Sequence, residues 1–217
     1  AAVSTALFGL LRAGDELVCS AAIYGGTMAV IRECLERFGV DARFEPIERF
    51  RDPASLLSDR TRVVWFESPI NPTLRCIDIA AVAAACRARG VTSVMDNTFA
   101  SPVNQSPLAL GVDLVMHSAT KYLNGHSDIT AGALVGSAKM IASLGVARKL
   151  LGGVAEAHSA AMVARGIKTL GVRMERHNAN AMAVAQFLEG HAAVAQALYP
   201  GLPSHPDHAI AAQQMRG

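Results

Sequence analysis

The stretch VDLVMHSATKYLNGHSD, residues 112–128, decides the fold class that this sequence predicts. It begins as an apolar, β-rich run and turns abruptly polar at Ser118, Thr120 and Lys121. In open α/β sheets, ligands bind in the crevice outside the carboxyl ends of the strands. A lysine at that edge can form a Schiff base with a carbonyl group, and the hydroxyls beside it can bind a phosphate.

A second apolar run, VTSVM at residues 91–95, ends in Asp96. A buried carboxylate favours the charged form of a neighbouring pyridinium nitrogen, and pyridoxal 5'-phosphate (PLP) acts as an electron sink only while that nitrogen is protonated. Asp96 and Lys121 therefore predict a PLP site. Asp96 would bind the ring nitrogen, and Lys121 would bind the aldehyde carbon.

Strand-like and helix-like patterns alternate through the first 136 residues. Their spacing predicts strands at 16–20, 40–44, 61–66, near 91, near 112 and at 131–136, and helices at 2–13, 26–38 and 77–89. Such alternation predicts a doubly wound α/β fold, with a mostly parallel sheet and helices on both faces. The pattern is strongly helical from 155 to 189, and 199–206 is expected to be a loop.

Several residues are typical of helix ends. Gly14 and Gly90 suit the position just after a helix, where a left-handed backbone is common. Asp52 and Pro53 suit the start of a short helix, as N-cap and first residue. Asp78 is expected in the first turn of the helix that ends at Gly90.

Composition narrows the class of protein. The chain has 217 residues, is 51% hydrophobic and carries a net charge of +2, which suits a globular enzyme domain and predicts no special affinity for nucleic acid or membrane. Its four cysteines lack CxxC spacing, so neither a zinc site nor a disulfide framework is expected, and a cytoplasmic setting fits best. No apolar run is long enough to span a membrane.

Six motifs, in this order, resemble the PLP-dependent enzymes of Cys/Met metabolism. They are IYGGT at 23–27, ESPINPT at 67–73, DNTFASP at 96–102, HSATKYLNGHSD at 117–128, RGIKTLGVRMERHNANA at 165–181 and YPGLPSHP at 199–206. The family includes cystathionine γ-synthase, cystathionine γ-lyase, cystathionine β-lyase, methionine γ-lyase and the homoserine-ester sulfhydrylases. The resemblance implies the large domain of the aspartate-aminotransferase-like PLP fold, fold type I.

The resemblance also implies roles for the residues at the strand ends. Lys121 would be the Schiff-base lysine and proton shuttle, and Asp96 would pair with the pyridinium nitrogen. Ser118 and Thr120 would bind the phosphate.

Two further residues match the family pattern outside these strands. Tyr24 would stack on the cofactor ring and take part in proton transfer, since a phenol combines a flat apolar face with a polar group. Asn71 would hydrogen-bond near the ring hydroxyl and the substrate carboxylate, because its amide can donate to an anionic oxygen.

The implied activity is γ-elimination or γ-replacement on sulfur amino acids or homoserine esters, of the cystathionine γ-synthase or γ-lyase type. Methionine γ-lyase and O-acetyl- or O-succinylhomoserine sulfhydrylase remain alternatives. Gly26 and Leu150 stand where methionine γ-lyases typically carry a cysteine and an aspartate, and this argues against that subfamily.

Family members also carry segments that these residues do not match. These are an N-terminal Tyr-x-Arg pair that reaches a neighbouring subunit's phosphate, a Ser-Gly-Met turn, and a C-terminal arginine for the substrate carboxylate. We therefore expect a part of a longer chain, with a PLP-binding large domain at 1–172 and a connecting helix and the start of a C-terminal domain at 173–217. The expected partners are an amino-acid substrate and further copies of the chain, in a homodimer or homotetramer with shared active sites.

Three alternatives from other classes are disfavoured by the residues. Ser118 to Lys121 spells S-x-x-K, the nucleophile motif of some acyl hydrolases, but that motif should open a helix and be joined by S-D-N and K-T-G elements. A non-catalytic scaffold is disfavoured by the intact Lys121. His117, His126 and Asp128 match no metal-ligand spacing, so no metal is expected.

Overall fold

The computed structural model describes residues 1–217, and its centre is a six-stranded sheet with the order β2-β1-β3-β4-β5-β6. The strands are β1 (Glu16–Ser20), β2 (Asp41–Glu45), β3 (Thr61–Glu67), β4 (Thr92–Asp96), β5 (Leu114–Ser118) and β6 (Gly132–Gly136). The first five run parallel and β6 pairs antiparallel with β5. All six strands predicted from the sequence are present.

Eight α-helices surround or extend from this sheet. They are α1 (Ala2–Leu10), α2 (Gly25–Val30), α3 (Ile79–Ala88), α4 (Ser101–Asn104), α5 (Ala138–Leu151), α6 (Ala157–Ile167), α7 (Leu170–Glu189) and α8 (His208–Gln214). A π-helical turn at Ile31–Leu35 and a 3-10 turn at Glu36–Phe38 continue α2. Further 3-10 turns cover Ile47–Arg51, Pro53–Leu56 and Pro107–Leu110. No helix is both long and apolar enough to cross a bilayer.

The sheet separates two apolar cores of 15 buried residues each, as expected for a doubly wound fold. Alternate residues of β3 enter opposite cores, so that Trp65 packs with residues of α1 and α5 while Phe66 packs with residues of α3. All five residues of β1 are buried, and its three central residues, Leu17 to Cys19, are apolar, as expected for a strand covered on both faces.

The five parallel strands end at one edge of the sheet. Four of them are adjacent: β1 ends at Ser20, β3 at Glu67, β4 at Asp96 and β5 at Ser118. Glu67 and Asp96 are direct neighbours in the register between β3 and β4. These four strand ends thus gather two serines, two carboxyl groups and the turn that carries Lys121 along the edge where α/β proteins bind ligands.

Some helix boundaries differ from the sequence expectation. The first helix ends at Leu10 rather than Ala13, because Leu11 adopts an extended backbone (φ −111°, ψ 150°). Asp78 lies one position before α3, where its side chain caps the helix by accepting from the N–H of Ala81. Asp52 precedes a 3-10 turn, but its side chain makes no capping hydrogen bond.

Helix α6 packs closely on the turn after β5 at Gly166. A Cβ at this buried helical position would meet the backbone carbonyl of Asn124. We expect Gly166→Ala to lower the free energy of unfolding by about 1–3 kcal/mol, the usual effect of overpacking. Urea unfolding followed by the fluorescence of Trp65, the single tryptophan of these residues, measures this change.

The matched control is Gly171→Ala on α7, where an added Cβ meets nothing within 4 Å. Alanine favours a helix over glycine by up to about 1 kcal/mol, so this variant is expected to be as stable as the parent or more stable. Equal stabilities for the two variants would contradict the close contact at Gly166.

Candidate active site

A hydrogen-bonded chain links the ends of β4 and β5. Oδ1 of Asp96 accepts from the backbone N–H of Thr98 (2.9 Å) and from its hydroxyl (2.5 Å). Oγ1 of Thr98 in turn accepts from the N–H of Ser118 (2.8 Å). The second oxygen of Asp96, Oδ2, has no hydrogen-bond partner in the chain. Thr98 thus fixes the orientation of the carboxyl group and leaves one of its oxygens available.

Asp96 is only 8% exposed, and this burial has an electrostatic consequence. Burial raises the pKa of Asp96 above its ordinary value, and the two hydrogen bonds from Thr98 lower it in part. A cation bound against Oδ2 would stabilise the ionised carboxylate. The site is therefore suited to a positively charged ring nitrogen.

Lys121 lies in the turn that follows β5 and is exposed. The turn is held by backbone hydrogen bonds, from the N–H of Lys121 to the carbonyl of Ser118 (3.1 Å) and from the N–H of Gly125 to the carbonyl of Lys121 (2.7 Å). The amine of Lys121 makes no hydrogen bond or ion pair within the chain. The backbone is thus fixed while the amine is free to react.

The two hydroxyls expected to bind a phosphate differ in their surroundings. Ser118 is half-buried, and its hydroxyl has no partner in the chain. The hydroxyl of Thr120 donates to the carbonyl of Ala131 (3.2 Å) and accepts from its N–H (3.0 Å). Thr120 therefore fastens the turn to the start of β6 and has less capacity for a ligand than Ser118.

The first turn of α1 lies beside Ser118. Gly132, the partner of Ser118 in the β5–β6 ladder, is so close to Ala2 that a Cβ on Gly132 would lie 2.6 Å from the Ala2 side chain. N–H groups at a helix start favour an anion, and the start of α1 lies close to the strand pair that carries Ser118.

Tyr24 lies at the N-cap of α2 and is 61% exposed. Its backbone N–H donates to Oε1 of Glu67 (2.7 Å), which ties the residue to the end of β3. The ring lies over Gly26, where an added Cβ would come within 2.5 Å of Cε1 of Tyr24. A side chain at position 26, such as the cysteine of methionine γ-lyases, would displace this ring.

Asn71 is exposed in the loop between β3 and α3, and its side chain has no partner in the chain. Residues far along the sequence hold this loop. Asp207 pairs with Arg75 (2.5 Å) and accepts from the N–H of Cys76 (2.9 Å). Gln214 accepts from the N–H of Ile79 (3.1 Å). The position of Asn71 thus depends on the segment around α8.

A cavity of about 370 Å³ lies next to this region, between Tyr122 and Phe99 on one side and α7 and α8 on the other. None of the six candidate residues lines it. The cavity is therefore adjacent to the candidate site and separate from it.

The sequence matches, over residues 1–217, the family described as "Cys/Met metabolism PLP-dependent enzyme". The chain belongs to this family. The resemblance inferred from the six motifs is thereby confirmed.

Relatives within the Cys/Met PLP family have several activities. The chain is 43% identical to cystathionine γ-synthase of Mycobacterium leprae, 43% identical to cystathionine γ-lyase of Dictyostelium discoideum and 44% identical to L-methionine γ-lyase of Pseudomonas putida. These alignments cover 99–100% of this chain and 54–56% of the relatives, so the chain spans about half of their length.

Solved structures confirm the fold. The structure of cystathionine γ-lyase from Lactobacillus plantarum, complexed with L-serine, superposes with a TM-score of 0.95 at 38% identity. The alignment covers 100% of this chain and 57% of that one. The predicted α/β fold of the PLP enzymes, with its mostly parallel sheet, is therefore correct.

The residues at the strand ends fit the cofactor after which the Cys/Met PLP family is named. Asp96 has an unpaired carboxylate oxygen for the ring nitrogen, and Lys121 has an unpaired amine for the aldehyde. Ser118 and the start of α1 offer donors for a phosphate. This donor set matches each end of PLP with a group of suitable chemistry.

Sequence reasoning missed two residues of this region, Thr98 and Glu67. Both lie in motifs characteristic of the Cys/Met PLP family, DNTFASP and ESPINPT, and both follow or end a strand at the site edge. A search for every polar side chain at a strand end would have found Glu67. Thr98 could be found only by asking which residue supplies hydrogen bonds to Asp96.

The remaining polar residues near Lys121 have local partners. Nδ1 of His126 bonds to the carbonyl of Asn124 (2.7 Å), and Asp128 accepts from the side-chain amide of Asn124 (2.6 Å). His117 is buried, and burial lowers its pKa to about 4. Its imidazole is therefore neutral at pH 7.

The structure argues against the acyl-hydrolase interpretation of S-x-x-K. Ser118 is the last residue of β5 and Lys121 lies in the following turn. The nucleophile of such hydrolases should instead open a helix.

Proposed function

We propose that the protein catalyses PLP-dependent γ-elimination or γ-replacement on sulfur amino acids or homoserine esters, as a cystathionine γ-synthase or γ-lyase. One observation carries the proposal. In a member of this family, Asp96 is buried at the end of β4 with one free oxygen, and Lys121 has an unpaired amine in the turn after the adjacent strand β5. Methionine γ-lyase and homoserine-ester sulfhydrylase activities are the alternatives.

In this proposal each residue has a defined task. Bound PLP supplies the electron sink that makes a proton on the substrate Cα acidic. The amine of Lys121 would bind the aldehyde carbon with loss of water, and after displacement by the substrate amine it would take that proton and deliver protons at later steps. Asp96 keeps the ring nitrogen protonated, because an adjacent carboxylate favours the charged form.

The other residues bind and orient. Ser118 and Thr120 hold the phosphate together with the start of α1, and Thr120 also fixes the turn that leads to Lys121. The ring of Tyr24 covers one face of the cofactor ring and its hydroxyl assists proton transfer. Asn71 donates to the ring hydroxyl or to the substrate carboxylate.

The substrate class is tested by assaying cystathionine, O-succinylhomoserine and methionine side by side with PLP-loaded protein. We expect turnover of cystathionine or O-succinylhomoserine. Turnover of methionine alone would replace this assignment by the methionine γ-lyase alternative. Loaded protein that turns over none of the three would contradict the proposed γ-chemistry.

We further propose that the protein assembles into homodimers and homotetramers with shared active sites, in the cytoplasm. Large apolar side chains are exposed on and after α5, including Val146, Leu150 (83% exposed), Leu151 and Val154, and such groups are typical of subunit contacts. All four cysteines are free, as suits a reducing compartment. Light scattering tests the assembly, and a fully active monomer would contradict it.

The division at residues 172 and 173 also stays a proposal. In it, residues 1–172 form the PLP-binding large domain, and 173–217 form a connecting helix and the start of a C-terminal domain. The boundary lies in the first turn of α7, which runs without interruption from Leu170 to Glu189.

Ser118→Ala is expected to weaken PLP binding. Loss of one hydrogen bond to a charged group costs about 1.5–3 kcal/mol, which corresponds to a roughly 10- to 100-fold higher Kd for PLP. Titration with PLP, followed by quenching of Trp65 fluorescence, measures the Kd. Ser143→Ala, an exposed serine on α5 without a hydrogen-bond partner, is the control and should bind PLP as the parent does.

A further inference from the structure

Glu67 is a buried carboxyl group that the proposed mechanism does not use. It ends β3, is 6% exposed and lies beside Asp96 in the strand register. It forms no ion pair with a lysine, arginine or histidine. Its hydrogen-bond partner is the backbone N–H of Tyr24, at 2.7 Å. Burying a carboxyl group without an ion-pair partner costs folding free energy, which makes its one hydrogen bond, to Tyr24, the contact of interest.

The hydrogen bond determines where Tyr24 sits. Tyr24 is the N-cap residue of α2, and its ring projects over Gly26 with no hydrogen bond at its hydroxyl. The contact with Glu67 at the end of β3 is therefore what fixes the backbone of Tyr24 to the edge of the sheet that carries Asp96. A shift at this point would move the ring relative to Asp96.

Glu67 changes its charge in the neutral pH range. The pKa of Glu67 is raised to about 7, chiefly by burial, with the hydrogen bond from Tyr24 lowering it in part and the charge of Asp96 adding to the rise. A hydrogen bond to an ionised acceptor is roughly twice as strong as one between neutral groups. The contact with Tyr24 is therefore stronger above this pH than below it.

The groups that face Glu67 come from three elements. They are Tyr24 at the start of α2, Asp96 on β4 and Cys19 on β1. Burial raises the pKa of the Cys19 thiol well above its ordinary value, so Cys19 stays neutral. Asp96 is thus the one neighbour whose charge opposes ionisation of Glu67, and a cation bound to Asp96 would relieve that opposition.

We propose that Glu67 is a positioning residue that holds Tyr24 over the cofactor site, firmly when its carboxyl group is ionised and loosely when it is protonated. The inference rests on the proposed function for its consequence in catalysis, because Tyr24 matters only if a cofactor ring lies beneath it. The contact itself can be tested without the cofactor.

The first experiment follows the amide proton of Tyr24 by NMR from pH 5.5 to 8.5 in cofactor-free protein. We expect its chemical shift to titrate with a midpoint near the pKa of Glu67, about 7, and to stay flat in Glu67→Gln. A flat profile in the parent protein, or an unchanged titration in the variant, would overturn the proposal.

Glu16→Gln is the matched control. Glu16 is also 6% exposed, but it begins β1 at the opposite edge of the sheet, accepts from the side chains of Ser58 and Thr61, and pairs with Arg43. This variant also loses a buried carboxyl group and should retain the titration of the Tyr24 amide. Loss of the titration in this control would show a general effect of buried carboxyl loss and would overturn the specific role of Glu67.

Stability supplies a second readout with a defined sign. The pKa of Glu67 is raised from 4.5 to about 7 in the folded state. Between these two pH values the carboxyl group ionises in the unfolded chain but not in the folded one, so the free energy of unfolding of the parent falls as the pH rises. The unfolding free energy of Glu67→Gln relative to the parent should therefore rise across this window and level off above it. A constant difference would contradict a titrating Glu67.

The consequence for catalysis is measured on PLP-loaded protein. In the parent, kcat/KM should fall severalfold as the pH drops through the pKa of Glu67, which the cation bound at Asp96 lowers below its value in the cofactor-free protein, and Glu67→Gln should lack this limb. Retention of the limb in the variant would overturn the catalytic part of the proposal. Absence of any cofactor band would instead contradict the proposed function, while the NMR titration of Tyr24 would still decide the role of Glu67.

Discussion

Lys121→Ala protein mixed with PLP is expected to show no absorbance band near ~420 nm and to lose activity by about three orders of magnitude or more. The band reports a covalent bond between the amine and the aldehyde, and no other lysine lies at the ends of the central strands. The same amine is the proposed base, so its removal abolishes binding and proton transfer together.

Lys139→Ala is the control for this experiment. Lys139 is an exposed lysine on α5, in the turn that begins this helix. The control should keep both the band and the activity. A persistent band in the Lys121 variant would place the reactive amine elsewhere and would contradict the assignment that carries the proposed function.

Asp96→Asn is expected to keep the absorbance band, because Lys121 is intact, yet to lose activity by about 100-fold or more. An amide cannot hold the ring nitrogen in its charged form, and removal of one such electrostatic contribution typically costs 10²–10³ in kcat. The amide preserves the shape of the side chain and can still accept from Thr98. Steady-state kinetics at saturating PLP separates this loss from weaker cofactor binding.

The comparison variant is Asp59→Asn. Asp59 is an exposed aspartate whose ion pair with Arg89 (2.9 Å) lies at the surface, and such pairs contribute little. It should be as active as the parent. Full activity of the Asp96 variant would show that the ring nitrogen has a different partner.

The strand ends show what the sequence could predict. Lys121 and Asp96 are predicted as cofactor ligands because each comes after an apolar run, and parallel strands bring their carboxyl ends to one edge. This prediction requires only that the strands run parallel, which places the residues after each strand at the same edge of the sheet. It could not supply the neighbour relation between Glu67 and Asp96, because strand order and register are set by contacts between distant segments.

Helix α5 is not predicted from the sequence pattern, although Ser137 caps its start and Gly152 ends it with a left-handed backbone (φ 71°). Only one of its 14 residues, Leu144, is buried. A helix with so few core contacts has a weak apolar periodicity, so its end signals were the better guide.

Thr120 illustrates the limit for single side chains. The residue type suits a phosphate ligand, but the hydroxyl makes two hydrogen bonds to Ala131, which lies across the turn. Sequence spacing shows that a hydroxyl is present. It does not show which backbone groups already use it.

The contacts of Asp207 and Gln214 affect the order in which the chain folds during synthesis. They join the loop at residues 68–79 to partners more than 130 positions later in the chain. Contacts of such sequence separation form late, because closing the long intervening segment costs entropy. As the polypeptide leaves the ribosome, the early strands can pair while this loop still lacks its anchors. The place of Asn71 is thus completed only after residues 207–214 have been synthesised.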